Sequence, residues 1–123
     1  PYQLQAAIAA CHATAASTED TDWPQIALLY KELGRLTPNP VVELNRAVAV
    51  AMASGPEAGL EIVAALEAAG LLSGYHLLAA TKADLLRRAG RLAAAADAYR
   101  LAIDQAGTAP ERRYLERRLA TLA

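Results

Sequence analysis

Ala83-Asp84-Leu85-Leu86-Arg87-Arg88-Ala89-Gly90-Arg91-Leu92-Ala93-Ala94-Ala95-Ala96-Asp97-Ala98-Tyr99-Arg100-Leu101-Ala102 is the stretch from which the fold is read. Gly90 divides it into two helical segments, because glycine ends helices and helps the chain turn. After the glycine, Leu92, Ala95, Tyr99, Ala102 and Ile103 recur close to a 3.6-residue period and share one helix face. Before it, Ala83 offers a small side chain and Leu86 a large one three residues on. Small residues suit places where two helices nearly touch, and a large ring such as Tyr99 fills the gap beside them. The stretch therefore predicts a helical hairpin.

The offsets of Ala83, Leu86, Gly90, Ala95, Tyr99 and Ala102 resemble those of a tetratricopeptide repeat, a helical pair about 34 residues long. Working outward, Tyr30 stands about two repeat lengths before Tyr99, and Pro38 follows it as a closing proline. The position between the two tyrosines falls near Ala64, where the aromatic is missing. The expected repeats are about 3–38, 40–70 and 74–107, followed by a capping helix over 110–122, all in a single domain over 1–123.

Punctuation predicts about seven helices. The first runs from Tyr2 to Ala16 and ends in the polar stretch Ser17-Thr18-Glu19-Asp20-Thr21. The second starts at Asp22, with Gln25 three residues on and Pro24 in its first turn. Its apolar stripe is Trp23, Ile26, Tyr30, Leu33 and Leu36. Asn39 and Pro40 open the third, which reaches about Ser54, and Gly55-Pro56 breaks the chain before the fourth. Gly70 ends the fourth, Ser73 is the expected cap of the fifth, and Gly90 and Gly107 end the fifth and sixth. Thr108 and Glu111 offer a capping box to a seventh, from about Pro110 to Leu122. Tyr114, Leu115, Leu119 and Leu122 are spaced to lie against the third hairpin. Short loops make successive helices antiparallel neighbours. The expected fold is all-α, with antiparallel hairpins stacked as a tetratricopeptide-like right-handed superhelix. An ordinary alanine-rich helical bundle is the competing architecture.

Composition supports helices. About a quarter of the 123 residues are alanine, the strongest helix former, and phenylalanine is absent. The formal net charge is −1, without the basic excess usual in nucleic-acid binders. Residues 1–70 carry three basic and eight acidic side chains, and residues 71–123 nine and five. Such polarity can orient an encounter, or it can reflect two solvated faces of opposite sign. The single cysteine, Cys11, rules out an internal disulfide and fits a reducing compartment. No apolar run approaches a membrane span, and no signal peptide is visible. The chain begins at Pro1 and not at a methionine, so a fragment of a longer protein is expected.

Catalytic and metal chemistry find little support. Cys11 and His12 are adjacent, so they do not share a helix face, and His76 is far away in sequence. The glycines stand singly and form no phosphate loop. We expect no enzyme activity, no metal and no cofactor. The arginines of the last two helical regions alternate with Asp84, Asp97, Glu111 and Glu116, which favours a salt-bridged surface over a phosphate groove. In a tetratricopeptide stack the first helix of each hairpin lines the concave groove. The candidate partner-binding residues are therefore Asn45, Arg46, Met52, His76, Asp84, Arg87 and Arg88. Asn45-Arg46 interrupts an otherwise apolar helix and needs a partner if buried. A structural hydrogen bond between hairpins would explain the pair equally well.

Several segments together carry a wider resemblance. They are Asp22-Trp23-Pro24-Gln25-Ile26, Pro38-Asn39-Pro40-Val41-Val42 running into Leu44-Asn45-Arg46-Ala47-Val48-Ala49, and Tyr75-His76-Leu77-Leu78. Ala83-Asp84-Leu85-Leu86-Arg87-Arg88 and Glu111-Arg112-Arg113-Tyr114-Leu115 complete the set. The chain resembles the C-terminal tetratricopeptide-like extension of bacterial extracytoplasmic-function RNA polymerase sigma factors. Family members tend to have leucine at Ala89 and phenylalanine at Tyr114. The resemblance implies a cytoplasmic regulatory domain acting in transcription initiation. Its implied partners are its own sigma regions, core RNA polymerase or another regulator protein. Promoter DNA would be bound only by N-terminal regions absent from this chain. A stand-alone adaptor, or a helical domain sensing a small ligand or peptide, is the alternative.

Overall fold

Asp22, Asn39 and Thr108 each turn a side-chain oxygen onto a backbone N–H of the helix that follows, and so set where three helices begin. Asp22 accepts from Gln25 N at 3.2 Å, Asn39 from Val41 N at 2.8 Å and Thr108 from Glu111 N at 3.3 Å. A proline sits in the first turn of all three, where its missing N–H costs nothing. The computed structural model describes residues 2–14 and 21–122. It contains seven α-helices and no strand among the described residues: α1 (Tyr2–Thr14), α2 (Trp23–Leu36), α3 (Pro40–Ser54), α4 (Pro56–Ala68), α5 (His76–Arg88), α6 (Leu92–Gln105) and α7 (Ala109–Ala120). The expected end of the first helix at Ala16 and most of the polar stretch after it lie outside the described residues.

Two helices end in the same way. Gly70 and Gly90 adopt φ of +70° and +81°, a region in which other L-residues are strained. Leu71 N then donates to Leu66 O at 3.0 Å, and Arg91 N to Leu86 O at 2.9 Å. These bonds, with Gly70 N to Glu67 O and Gly90 N to Arg87 O, satisfy the last carbonyls of α4 and α5. Nothing stands within 4 Å of a Cβ built at either glycine, so backbone conformation alone requires them.

The expected cap at Ser73 is corrected by the structure. Helix α5 begins at His76, with Tyr75 at its N-cap position, and the Ser73 hydroxyl instead donates to Gly70 O at 3.4 Å. Leu72 and Gly74 both have positive φ, of 61° and 81°. The chain uses these residues to turn, so helical geometry starts later than the cap signal suggested.

The chain divides into two units, Pro1–Ile62 and Val63–Ala123. In the first, α2 packs on α1 and on α3. Ile8, Ile26, Leu33 and Ala49 are buried there, with Trp23, Leu29, Tyr30 and Val42 packed around them. Leu36 departs from the expected stripe and is 50% exposed. It is the last residue of α2, and Leu29 packs into the core instead.

In the second unit, α6 packs on α5 and on α7. Ala83, Ala95 and Ala102 are wholly buried, and Tyr99 and Leu86 nearly so. The small-and-large pattern read from the sequence is thus the contact surface of this hairpin. Leu115 anchors α7 with 3% exposure. Tyr114 does not lie against the hairpin as its spacing suggested. It is half-exposed, and its ring takes the Arg118 guanidinium 5.6 Å from the centroid.

Candidate functional site

Helices α5 and α6 leave a cleft on one side of the second unit. Leu78, Ala79, Lys82 and Leu86 line it from α5, at the i, i+4, i+8 spacing that repeats along one helix face. Ala94, Asp97, Ala98, Leu101 and Gln105 line it from α6 at similar spacing. The turn between α4 and α5 closes one end with Leu71, Leu72 and Tyr75. The cleft has a volume of about 650 Å³. That is within the range of pockets that hold small ligands or peptide side chains.

The cleft has an apolar floor and a charged rim. Leu71 and Leu101 are 42% and 51% exposed, although both are leucines. Lys82 Nζ donates to Glu67 Oε2 at 3.0 Å at the rim, which ties α5 to the end of α4. On the other side Asp97 accepts from Arg100 at 3.1 Å. None of the seven residues singled out in the sequence lines this cleft. Its apolar stripe was visible in the sequence, but a stripe that lines a cleft and one that fills a core have the same spacing.

The seven candidates divide between the two units. Asn45, Arg46 and Met52 lie on α3 of the first unit, with Asn45 exposed and Met52 half-buried. Arg46 is held within its own helix, where Nη2 donates to Glu43 Oε1 at 2.6 Å. The polar pair in α3 is therefore not a buried hydrogen-bonded site. His76, Asp84, Arg87 and Arg88 lie on α5 of the second unit. His76 Nε2 lies 3.3 Å from Glu111 Oε2 on α7.

Asp84, Arg87 and Arg88 form one cluster. Arg87 Nη2 donates to Asp84 Oδ1 at 2.7 Å, and Arg88 Nε lies 3.4 Å from Asp84 Oδ2. Two further side chains lie near it, one on α6 and one on α7. Tyr99 of α6 lies against Arg87, with its ring buried and its hydroxyl turned to the guanidinium. Arg118 of α7 is near enough for its charge to act on Tyr99, Arg87 and Asp84. Its Nε donates to Tyr114 Oη at 3.2 Å. The hydrogen bond that the Arg87 guanidinium donates to Asp84 holds it above its ordinary range, with burial working against it. Burial pushes the Tyr99 phenol up, and neighbouring Arg87 opposes this.

Among the described residues, no three His, Cys, Asp or Glu side chains gather as metal ligands would, and no helix is long and apolar enough to cross a membrane. No protein-family model matches the chain, and no solved structure matches it. The chain is similar to an uncharacterized protein of Rhizobium meliloti (strain 1021), with 49% identity over all 123 residues. The match spans 29% of that relative's length, so more than two thirds of the relative lies beyond the region described here.

Proposed function

We propose that this chain is a regulatory protein-interaction domain of an extracytoplasmic-function RNA polymerase sigma factor, acting in transcription initiation in the cytoplasm. The observation that carries the interaction reading is the cleft between α5 and α6, with exposed Leu71 and Leu101 inside a charged rim. Surface leucines gathered in a concavity are the usual form of a site for a partner's apolar side chains. The sigma-factor reading rests on the sequence resemblance. A relative much longer than the matched region agrees with a domain that works as part of a larger protein. In this reading the chain is not an enzyme, and its stacked hairpins are tetratricopeptide-like.

The test is promoter-specific transcription by the full-length protein with purified core polymerase. Wild-type protein should direct initiation. Leu101→Glu, which places a charge in the cleft, should change that activity while the helical content stays the same. A full-length protein that directs no promoter-specific initiation sinks the sigma-factor reading. The volume of the cleft also favours a second reading, a domain that senses a small apolar ligand or peptide. Ligand-dependent thermal stabilisation that Leu101→Glu abolishes would support it.

A further inference from the structure

Arg35, Arg46, Arg87, Arg88 and Arg100 each meet a carboxylate three or four residues earlier on their own helix. That order, acid before base, is the one that steadies a helix. Helix α7 lacks it, since no acid stands three or four places before Arg112, Arg113 or Arg117. Glu116 follows Arg112 by four, in the weaker order, and Glu111 turns to His76 on α5. Among the described residues, no carboxylate lies within ion-pair distance of these three arginines. The salt-bridged surface expected from the sequence thus forms on α5 and α6 and not on α7. Arg113 and Arg117 stand two residues either side of Leu115, the buried anchor. Two residues are about 200° of helical rotation, so both project from the face opposite the core. Both are exposed, and they stand one turn apart, about 6 Å along the axis. Half-exposed Tyr114 lies beside them. Local helix energetics does not ask for this charge, because the dipole favours acids and not Arg112 and Arg113 near a helix start.

We propose that the outer face of α7, with Arg113 and Arg117 at its centre and Tyr114 beside them, docks an acidic helix of a separate partner protein. The inference rests on the interaction reading above and adds a face that shares no residue with the cleft. A helix with Asp or Glu at i and i+4 presents carboxylates at the spacing of the two guanidiniums, and guanidinium forks match carboxylates well. Arginine and tyrosine are the residues that protein interfaces favour, and α7 carries no lysine. Exposed Glu116 on the same helix and the chain's net charge of −1 weigh against a nucleic-acid backbone as the occupant. The inner face of α7, through Leu115, caps the hairpin, which leaves the outer face free for a partner.

The experiment is fluorescence anisotropy with the whole chain. The probe is a labelled helical peptide with Glu at i and i+4 in successive turns, the control is its Gln counterpart, and the rival probe is a short labelled DNA duplex. The acidic peptide should bind and the control should not. Added salt should weaken binding. Arg113→Gln and Arg117→Gln should each weaken it by about fivefold, the upper value for one exposed ion pair, with unchanged circular dichroism. Lys31→Gln makes the same change in charge at an exposed position of α2 and should leave binding as it is. The face is overturned if the acidic peptide fails to bind at low salt, or if Lys31→Gln weakens binding as much as the arginine variants do. Tighter binding of the duplex, lost in the same arginine variants, would overturn the choice of a protein. Glu57 and Glu61 of α4 have the same spacing. Salt-dependent dimerisation in sedimentation that Glu57→Gln and Glu61→Gln abolish would therefore make a second copy the occupant and overturn the separate partner. The assay contains no polymerase. Intact peptide binding with no transcription fails the sigma-factor reading alone, and normal transcription without peptide binding fails the α7 face alone.

Discussion

His76 Nε2 lies 3.3 Å from Glu111 Oε2, joining the first turn of α5 to the first turn of α7. Glu111 thus spends its carboxylate on a neighbouring helix, although its place three residues after Thr108 suits it to a capping box. Thr108 completes its own half of that box through the Glu111 backbone. A double-mutant cycle with His76→Ala and Glu111→Ala should show a coupling of about 0.2–1 kcal/mol at a pH that protonates the imidazole. Zero coupling would mean that apolar packing alone places α7.

Tyr99 should separate ring from hydroxyl. Its ring is buried, and its hydroxyl is turned to Arg87. Tyr99→Ala should cost about 3–5 kcal/mol in chemical unfolding, as large aromatic truncations do. Tyr99→Phe should cost only about 0.5–1.5 kcal/mol, the worth of one ordinary hydrogen bond, because the ring stays in place. A loss on Tyr99→Phe as large as that on Tyr99→Ala would show that the hydroxyl, and not the ring, holds this residue.

Alkaline pH should destabilise the chain through its tyrosines. Burial raises the phenols of Tyr30 and Tyr99 above the ordinary 10.0. The folded chain then keeps these protons at pH values where the unfolded chain releases them. The contribution is complete below the unfolded value and is lost as pH rises through the raised folded values. Urea midpoints should fall between about pH 9 and 11, and Tyr30→Phe should reduce the fall. Phenolate absorbance from all five tyrosines near the ordinary pH, with helicity intact, would contradict this.

Helix α7 should act first as a cap on the α5–α6 hairpin. Leu115 is its buried anchor, while Arg112, Arg113, Glu116 and Arg117 are exposed. Leu115→Ala should cost about 2–5 kcal/mol. Deleting residues 109–123 should lower the melting temperature or cause aggregation, because the end of a helical stack leaves apolar surface open. On the sigma-factor reading proposed above, the same deletion in the full-length protein should also abolish promoter-specific initiation. An unchanged melting curve with lost activity would make α7 a partner-binding element and not a cap.

The sequence alone determined where most helices start and stop. Asp22, Asn39 and Thr108 cap through atoms only two or three residues away, and Gly70 and Gly90 turn the chain through their own φ. It also determined the tight face of the α5–α6 hairpin, because Ala83, Ala95, Tyr99 and Ala102 declare themselves by size and spacing. These signals act over one or two helical turns. Only the tertiary structure decided that Ser73 would serve a turn and not a cap, and that the Leu78–Leu86 stripe would border a cleft. It alone brought Tyr99 and Arg118 to Arg87. Those arrangements depend on how helices lie across one another. A helix face has the same residue spacing whatever it meets, so spacing marks the face and only packing supplies its neighbour.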